Sequence, residues 1–535
     1  MTIRETIVDL VARHEARTFL VDAGTHREIT YGEFHKRACA LAAELRRQGI
    51  RKGDRVGVMV PNGCELAILY FACIYLGAVI VPINPGLSHS EVHFILSSCK
   101  PVLVVVGPSC GDAVRAIHSK VVNLIPVGAT VAAQDPGSVA IETLPEPNGF
   151  VPLEDADSDD LVLIMYTSGT TAKPKGLAHR IGSLFRNARA FARVQGIDQE
   201  TRFYLTLSMA YMGGFYNLLV LPFLCGASVV VDQVFDARAS LNFWDKVRSN
   251  QANALWFAPT VMSILLRMDR GRSGEEFCRR SIRHTFVGFA PLPPKVKHEF
   301  EARYGVRLVE NYGLSETLFV TARSSDVINA GSGYVGEALP DVQLRVVTGE
   351  EQPVAPAHAG EVEILTPDLM AGYLDDAGNL VEMDPSQWFS TGDVGYLDDR
   401  GSLFITGRKK DIIIRGGVNI SPAAIEEVLT QARGVADAAV VSIPHELYGE
   451  DVVAVLKLDA GVELESILAA LVSHAKRNLA QHQQPARYIA IDEFPRTTSG
   501  KVQKARMREL VAEKLQVGSR SVISEQTADR AAVPN

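Results

Sequence analysis

The chain lacks a surplus of basic residues: 54 Lys and Arg stand against 62 Asp and Glu, a net charge of −8 over 535 residues. That mild acidity argues against a general nucleic-acid binder, which needs a basic face for the phosphate backbone. It lacks any C-x-x-C pair, and its seven cysteines all fall within the first 278 residues. Neither a zinc site nor a disulfide framework is indicated, so they read as reduced core thiols of a cytoplasmic protein. Internal repeats and low-complexity tracts are missing too. The opening MTIRETIVDL carries acids and no apolar core, so it does not read as a signal peptide. One uncharged run of 18 residues, LAILYFACIYLGAVIVPI at 66–83, has the length of a membrane span. Gly77 and Pro82 punctuate it, and a β-branched stretch follows a helix-like one. A buried helix running into a core strand is expected, with peripheral membrane contact the one membrane role left open.

What is present is the profile of a soluble globular protein, 47% hydrophobic and 22% charged, long enough for two to four domains. Residues 31–48 place Phe34, Ala38, Leu41, Ala42 and Leu45 on one helical face. A strand at 55–60, a helix at 65–76, a strand at 79–83, a helix near 90–98 and a strand at 102–106 then alternate. That rhythm predicts a parallel, doubly wound sheet. Further strands are expected at 227–231 and 254–257. From about Gly336 short strands and turns suggest a small β-rich lobe. A break falls near 407–411, where GRKKD interrupts two strand-like runs. Beyond it a compact α+β domain of about 100 residues is expected, followed by a polar, disordered tail from 518 to 535.

The densest chemistry is YTSGTTAKPKGLAHR at residues 166–180. Residues 167–177 hold two glycines, four hydroxyl residues and two lysines around one proline. Such a loop offers backbone N–H groups, hydroxyls and ammonium groups together, the donors a polyphosphate needs. It leaves the apolar run LVLIM, a buried strand, as phosphate loops of α/β proteins do. It is not a P-loop, because Pro174 stands where a second glycine would have to be, and no G-x-G-x-x-G opens a helix here. It reads as the start of a second βα unit.

Four more clusters are each weak alone. NYGLSET at 311–317 joins an aromatic side chain, Tyr312, to a carboxylate, Glu316, able to hold Mg²⁺. STGD at 390–393 offers Asp393 to a ribose. GRKKDIIIRGGVNISP at 407–422 and PRTTSGK at 495–501 combine basic residues with glycine turns.

In this order, TSGTT-x-K-PKG, YG-x-S-E, TGD, GRKKD and PRT-x-SGK resemble the adenylate-forming superfamily of acyl-CoA synthetases, aryl-CoA ligases, luciferases and adenylation domains. The resemblance runs from about Tyr31 through Lys504 and includes GDRVGVMVPN at 53–62 and GAVIVPINP at 77–85. It implies an α/β fold: a large N-terminal domain of doubly wound sheets with a small β-rich lobe (1–407), plus a small mobile α+β C-terminal domain (408–517).

The resemblance also implies two half-reactions. A carboxylate attacks the α-phosphate of ATP to give an acyl-adenylate and pyrophosphate, and a thiol then displaces AMP. By resemblance Thr167, Ser168, Gly169, Thr170, Thr171 and Lys175 cradle the phosphates. Glu316 positions Mg²⁺, Asp393 and Arg408 hold the ribose, and Glu310, Asn311, Tyr312 and Ser315 line the nucleotide. Lys501 bridges carboxylate and α-phosphate in the first step. Lys410 is the hinge about which the C-terminal domain swings, and Gly416 and Gly417 admit the pantetheine arm of CoA.

Three positions depart from the family pattern. Ala172 stands for a usual glycine, Tyr211 for a common histidine near the substrate carboxylate, and Phe289 for a smaller residue. The expected acyl pocket comprises Tyr211, Met212, Gly213, Gly214 and Phe215 with Gly288, Phe289, Ala290, Asn311 and Leu314. No carboxylate there could pair with an α-ammonium group, so an apolar aliphatic or aromatic acid is expected rather than an amino acid. The acceptor is CoA, with the phosphopantetheine of an acyl carrier protein as the alternative.

Overall fold

The protein is described here by a computed structural model covering residues 2–107, 110, 114–115, 117–118, 120–125, 138–145, 152–153, 156–167, 174–322, 333–348, 352–416, 418–496, 502–516 and 522–524. Among them Arg55–Met59, Val79–Pro82, Leu103–Val106, Val121–Ile125 and Ser138–Ala140 form a parallel sheet, which Leu161–Thr167 joins beside Val79–Pro82. The expected βαβ alternation is realised there. The helix Cys64–Leu76 lies between two of those strands and ends on Gly77, whose φ of +71° turns the chain into Val79–Pro82.

From Leu66 to Tyr75 that helix is at most 2% exposed. The uncharged run is therefore interior, sealed on every side, and offers no surface to a lipid. Among the described residues no helix is long and apolar enough to cross a membrane.

The phosphate-loop strand differs from expectation. Leu161–Thr167 belongs to this first sheet and pairs antiparallel with Lys175–Arg180, so the strands on either side of the phosphate loop form a hairpin rather than a second βα unit. The helix Ile181–Gln195 begins only after the return strand. The strand Gly372–Leu374 then adds to the far side of Lys175–Arg180.

The second sheet holds Thr18–Asp22, Ser228–Val231, Arg202–Leu205, Ala254–Phe257, His284–Val287 and Val309–Leu314 in parallel. It continues without a break into antiparallel Leu318–Ala322, Tyr334–Ala338, Leu403–Arg408 and Phe389–Leu397. The short strands expected as a small β-rich lobe form the far end of this sheet. Its core face carries Trp256, Phe286 and Phe319, against which Phe191 of the helix Ile181–Gln195 packs, with ring centroids 4.0 Å apart for Phe191 and Phe319 and 4.7 Å for Trp256 and Phe286. Such rings interlock at near-crystalline density and leave a rigid wall.

A third sheet gathers Ile413–Arg415, Val418–Ile420, Val435–His445, Gly449–Leu458 and Arg487–Ala490. Val522–Ser524 adds an edge strand to Arg487–Ala490. All seven cysteines are free, six buried and Cys225 partly so. Burial pushes the thiols of Cys39, Cys73, Cys99, Cys225 and Cys278 up to about 12, and that of Cys64 further.

Candidate active site

Two clusters of polar side chains meet on one β-hairpin. Val309–Leu314 turns back into Leu318–Ala322, with a register shift between Tyr312 and Gly313. Tyr312 and Glu316, four residues apart, stand at its bend. The Tyr312 hydroxyl donates to Asp393 Oδ2 at 2.6 Å, and Arg408 Nε meets Asp393 Oδ1 at 2.7 Å. Asp393 and Arg408 face each other across adjacent strands, and Asp393 is 3% exposed. Its amide donates to Thr391 Oγ1 at 3.0 Å. Both carboxylate oxygens are held, so the group is fixed in orientation. Burial, and then the charge of Asp393, raise the Tyr312 phenol far above its ordinary value, so it stays a neutral donor.

On the other side of the bend, the Tyr373 hydroxyl donates to Glu316 Oε1 at 3.0 Å. Tyr373 lies on the strand beside Lys175–Arg180, in register with Leu177, and Lys175 Nζ sits 5.6 Å from its ring centroid. That is cation–π range. Burial and the charge of Glu316 raise the Tyr373 phenol as well. Thr167 and Lys175 pair across the mouth of the phosphate hairpin. Ser168, Gly169, Thr170, Thr171 and Ala172 lie outside the described residues.

The turn holding Glu316 is pinned from behind. The Met370 amide donates to the Glu316 carbonyl at 2.8 Å, and His179 Nε2 donates to the Ser315 carbonyl at 2.7 Å. His179 is wholly buried on the return strand of the phosphate hairpin, so strand and turn are tied directly. Burial pushes its imidazole down to about 4, with the Ser315 contact opposing in part.

The sign of the consequence follows from where protons bind. Below the ordinary value of 6.5 the unfolded chain takes up a proton that the folded one refuses until about 4. Stability therefore falls as the pH is lowered across that window, by on the order of 3 kcal/mol from this group. Urea unfolding near neutral pH and near the lower limit should show a shallower loss in His179→Leu than in the unaltered protein. Coincident slopes would contradict a neutral buried His179.

Glu310, expected at the nucleotide, is engaged by Lys297 Nζ at 2.5 Å in a largely buried ion pair. Asn311 Nδ2 donates to the Val287 carbonyl at 3.3 Å. That turns Oδ1 toward Gly288, where it would lie 3.1 Å from any added Cβ. Met212, Phe289, Tyr312 and Leu314 all pack, partly buried, against the same core cluster, and Ala290 is also partly buried beside them in sequence.

The Tyr211 hydroxyl accepts from Asn84 Nδ2 at 3.2 Å. Residues Gly213–Val220 form a π-helix, a geometry frequent at functional sites. A Cβ on Gly214 would fall 2.4 Å from the Ser208 carbonyl oxygen, so only glycine fits there. Phe289 has φ of +73°. A bulky residue in that region stores about 1–3 kcal/mol of strain.

Lys410 sits in the single turn Lys409–Asp411 between the second and third sheets. Burial lowers its ammonium, with Arg408 and Arg508 adding to the effect and Asp411 opposing it. Arg508 pairs with Asp411 at 3.1 Å and Lys409 with Glu361 at 2.6 Å, bracing the turn from both sides. Gly416 has φ of +58°. Gly417 and Lys501 lie outside the described residues. Arg496 and Val502, on either side of Lys501 in sequence, bridge each other, and Arg496 pairs with Asp437 at 2.7 Å.

The phenol that holds the Asp393 carboxylate with Arg408 stands four residues from a second carboxylate, Glu316, beside a lysine-bearing hairpin, the arrangement expected of an adenylate-forming enzyme. The family model for AMP-binding enzymes matches residues 8–374, and the model for the AMP-binding enzyme C-terminal domain matches residues 424–501. The chain belongs to the AMP-binding enzyme family, among the acyl-CoA ligases of the adenylate-forming superfamily.

It is 31% identical over 498 residues to an indoleacetate–CoA ligase of Aromatoleum aromaticum, covering 91% of this chain and 94% of that one. It is 30% identical over 513 residues to a sulfoacetate–CoA ligase of Cupriavidus necator, covering 94% and 97%. ATP-bound MatB from Rhodopseudomonas palustris superposes with a TM-score of 0.85 at 28% identity, over 95% of this chain and 99% of that one.

Proposed function

We propose that the protein is an ATP-dependent carboxylate–CoA ligase acting on an apolar aliphatic or aromatic acid. The observation that carries this is the placement of Tyr312 with Asp393–Arg408, and Glu316 with Tyr373 and Lys175, at one hairpin bend. A nucleoside grip and a polyphosphate grip so close together leave the α-phosphate between them.

In the first step a carboxylate oxygen of the acid bonds to the α-phosphorus while the bond to the β-phosphate oxygen breaks. Asp393 takes the ribose hydroxyls, and Thr167 and Lys175 hold the departing pyrophosphate. Lys501 neutralises the charge between two anions that would otherwise repel. Among the described residues no cluster of three or more His, Cys, Asp or Glu could cage a metal. Mg²⁺ fits that donor set, since it binds through one or two carboxylates and the substrate's own phosphates. Glu316, oriented by Tyr373, would hold it, and it would supply charge neutralisation at those oxygens.

In the second step the CoA thiol loses its proton and its sulfur bonds to the acyl carbon as the bond to AMP breaks. Residues 408–517 swing about Lys410 against the body formed by 1–407, withdrawing Lys501 and presenting Gly416 and Gly417 to the pantetheine arm. The free, buried thiols fit a cytoplasmic protein.

Carboxylate-dependent pyrophosphate release, followed by thioester formation with CoA and separately with a holo carrier protein, tests the reading. Release that depends on an acid, with thioester on CoA, is expected. Thioester on the carrier alone would replace CoA as the acceptor. No AMP from any aliphatic or aromatic acid would refute the ligase.

A further inference from the structure

Which acids the enzyme accepts is written in how its acyl slot is closed. We propose that Phe289 is a specificity-determining residue whose ring stops the slot, restricting the enzyme to compact, short-chain carboxylic acids and excluding long-chain and bulky aromatic ones. This rests on the ligase reading.

Residues expected to line the acyl slot stand on the π-helix Gly213–Val220 and just after the strand His284–Val287, which pairs with Ala254–Phe257. Phe289 follows directly from His284–Val287. Its left-handed backbone, φ +73°, accompanies a side chain that packs on the first residue of the π-helix. There the ring meets Gly213 so closely that a Cβ on that glycine would lie 2.8 Å from Phe289 Cε1 and 2.9 Å from Cζ. Leu207 Cδ1 would lie 3.3 Å from the same point. On its other side the ring faces Trp256, with centroids 6.5 Å apart. The ring thus occupies the gap between strand and helix.

Neither wall can retreat to make room. Trp256 is 2% exposed and packs against Phe191, Phe286 and Phe319. Gly214 already abuts the Ser208 carbonyl on the helix side. An acyl chain entering beside Tyr211 ends at Phe289.

Pyrophosphate release across straight-chain acids from acetate to dodecanoate, with phenylacetate added, tests this in the unaltered enzyme, Phe289→Gly and Gly213→Ala. Glycine at 289 suits the left-handed backbone, so that variant removes the ring without straining the chain. In the unaltered enzyme kcat/KM should be highest for the short acids and fall by roughly tenfold or more for each methylene beyond the limit. Phe289→Gly should move the optimum to longer acids and raise kcat/KM for octanoate by at least about 100-fold. Gly213→Ala, which drives the ring further into the slot, should move the optimum the other way.

A mere packing role for Phe289 would change folding but not the chain-length optimum. Octanoate or phenylacetate used as well as butyrate by the unaltered enzyme would overturn the proposal, as would an unchanged profile in both variants. Absence of pyrophosphate release with every acid in every variant would instead overturn the ligase reading, and this inference with it.

Discussion

Lys501→Ala should abolish the formation of acyl-adenylate but spare thioester formation from acyl-adenylate supplied ready-made. The two reactants of the first step are both anions, and their repulsion is greatest as the new bond forms. A cation placed there acts on the transition state rather than on binding of either substrate alone. Removing one such preorganised group costs on the order of 10²–10³ in rate, and more when the charge neutralised is a full one. Arg496 and Val502, which flank Lys501 in sequence, bridge each other, and Arg496 pairs with Asp437. Partial burial raises the Asp437 carboxyl above its ordinary range, and the Arg496 charge opposes that rise. Single-turnover measurements of the two half-reactions separate the outcomes. Equal loss of both would mean that Lys501 serves the fold or the binding of a shared group.

Asp393→Ala should remove the proposed acceptor for the ribose, and it removes the centre of the Tyr312–Asp393–Arg408 cluster. Two charge-assisted bonds to the ribose hydroxyls contribute roughly 1.5–3 kcal/mol each, so ATP affinity should fall by at least about 100-fold. Stability should fall too, because the buried Tyr312 hydroxyl is left without its acceptor, at about 1–3 kcal/mol. Arg408 is 40% exposed and can turn to water. Tyr312→Phe separates the two effects: it deletes the donor to Asp393 but keeps the carboxylate and its guanidinium partner. Calorimetric ATP binding and urea unfolding on both variants give the comparison. If Asp393→Ala bound ATP as the unaltered protein does, the ribose would be held elsewhere.

The motif residues were legible in the sequence because each combines unusual chemistry within a few positions. Asp393 is read from the STGD turn and Glu316 from NYGLSET. The residues that orient them were not legible, because they reach the site through tertiary contacts. Tyr373 is 57 residues from Glu316, His179 is 136 from Ser315 and Asn84 is 127 from Tyr211. The one local signal was a histidine in the otherwise apolar middle of KGLAHR, and even that says nothing of its partner. The sheet to which the phosphate hairpin belongs was hidden for a related reason. A short return strand such as Lys175–Arg180 carries too few residues to distinguish it from a loop, and only its pairing on both edges defines it. The α/β alternation at 55–106 was legible because it is local.

The buried cysteines bear on the chemistry more than on the fold. An acyl-adenylate is an electrophile that acylates any thiolate it meets, and the enzyme makes it in order to deliver it to one chosen sulfur. Every cysteine of this chain is kept protonated by its surroundings, most with thiols pushed up to about 12. At neutral pH fewer than about one in 10⁴ of those thiols is ionised, against a few in a hundred for a free one. The protein is thereby protected against acylating itself, and the incoming substrate thiol competes with no nucleophilic sulfur of the enzyme that hands it the acyl group.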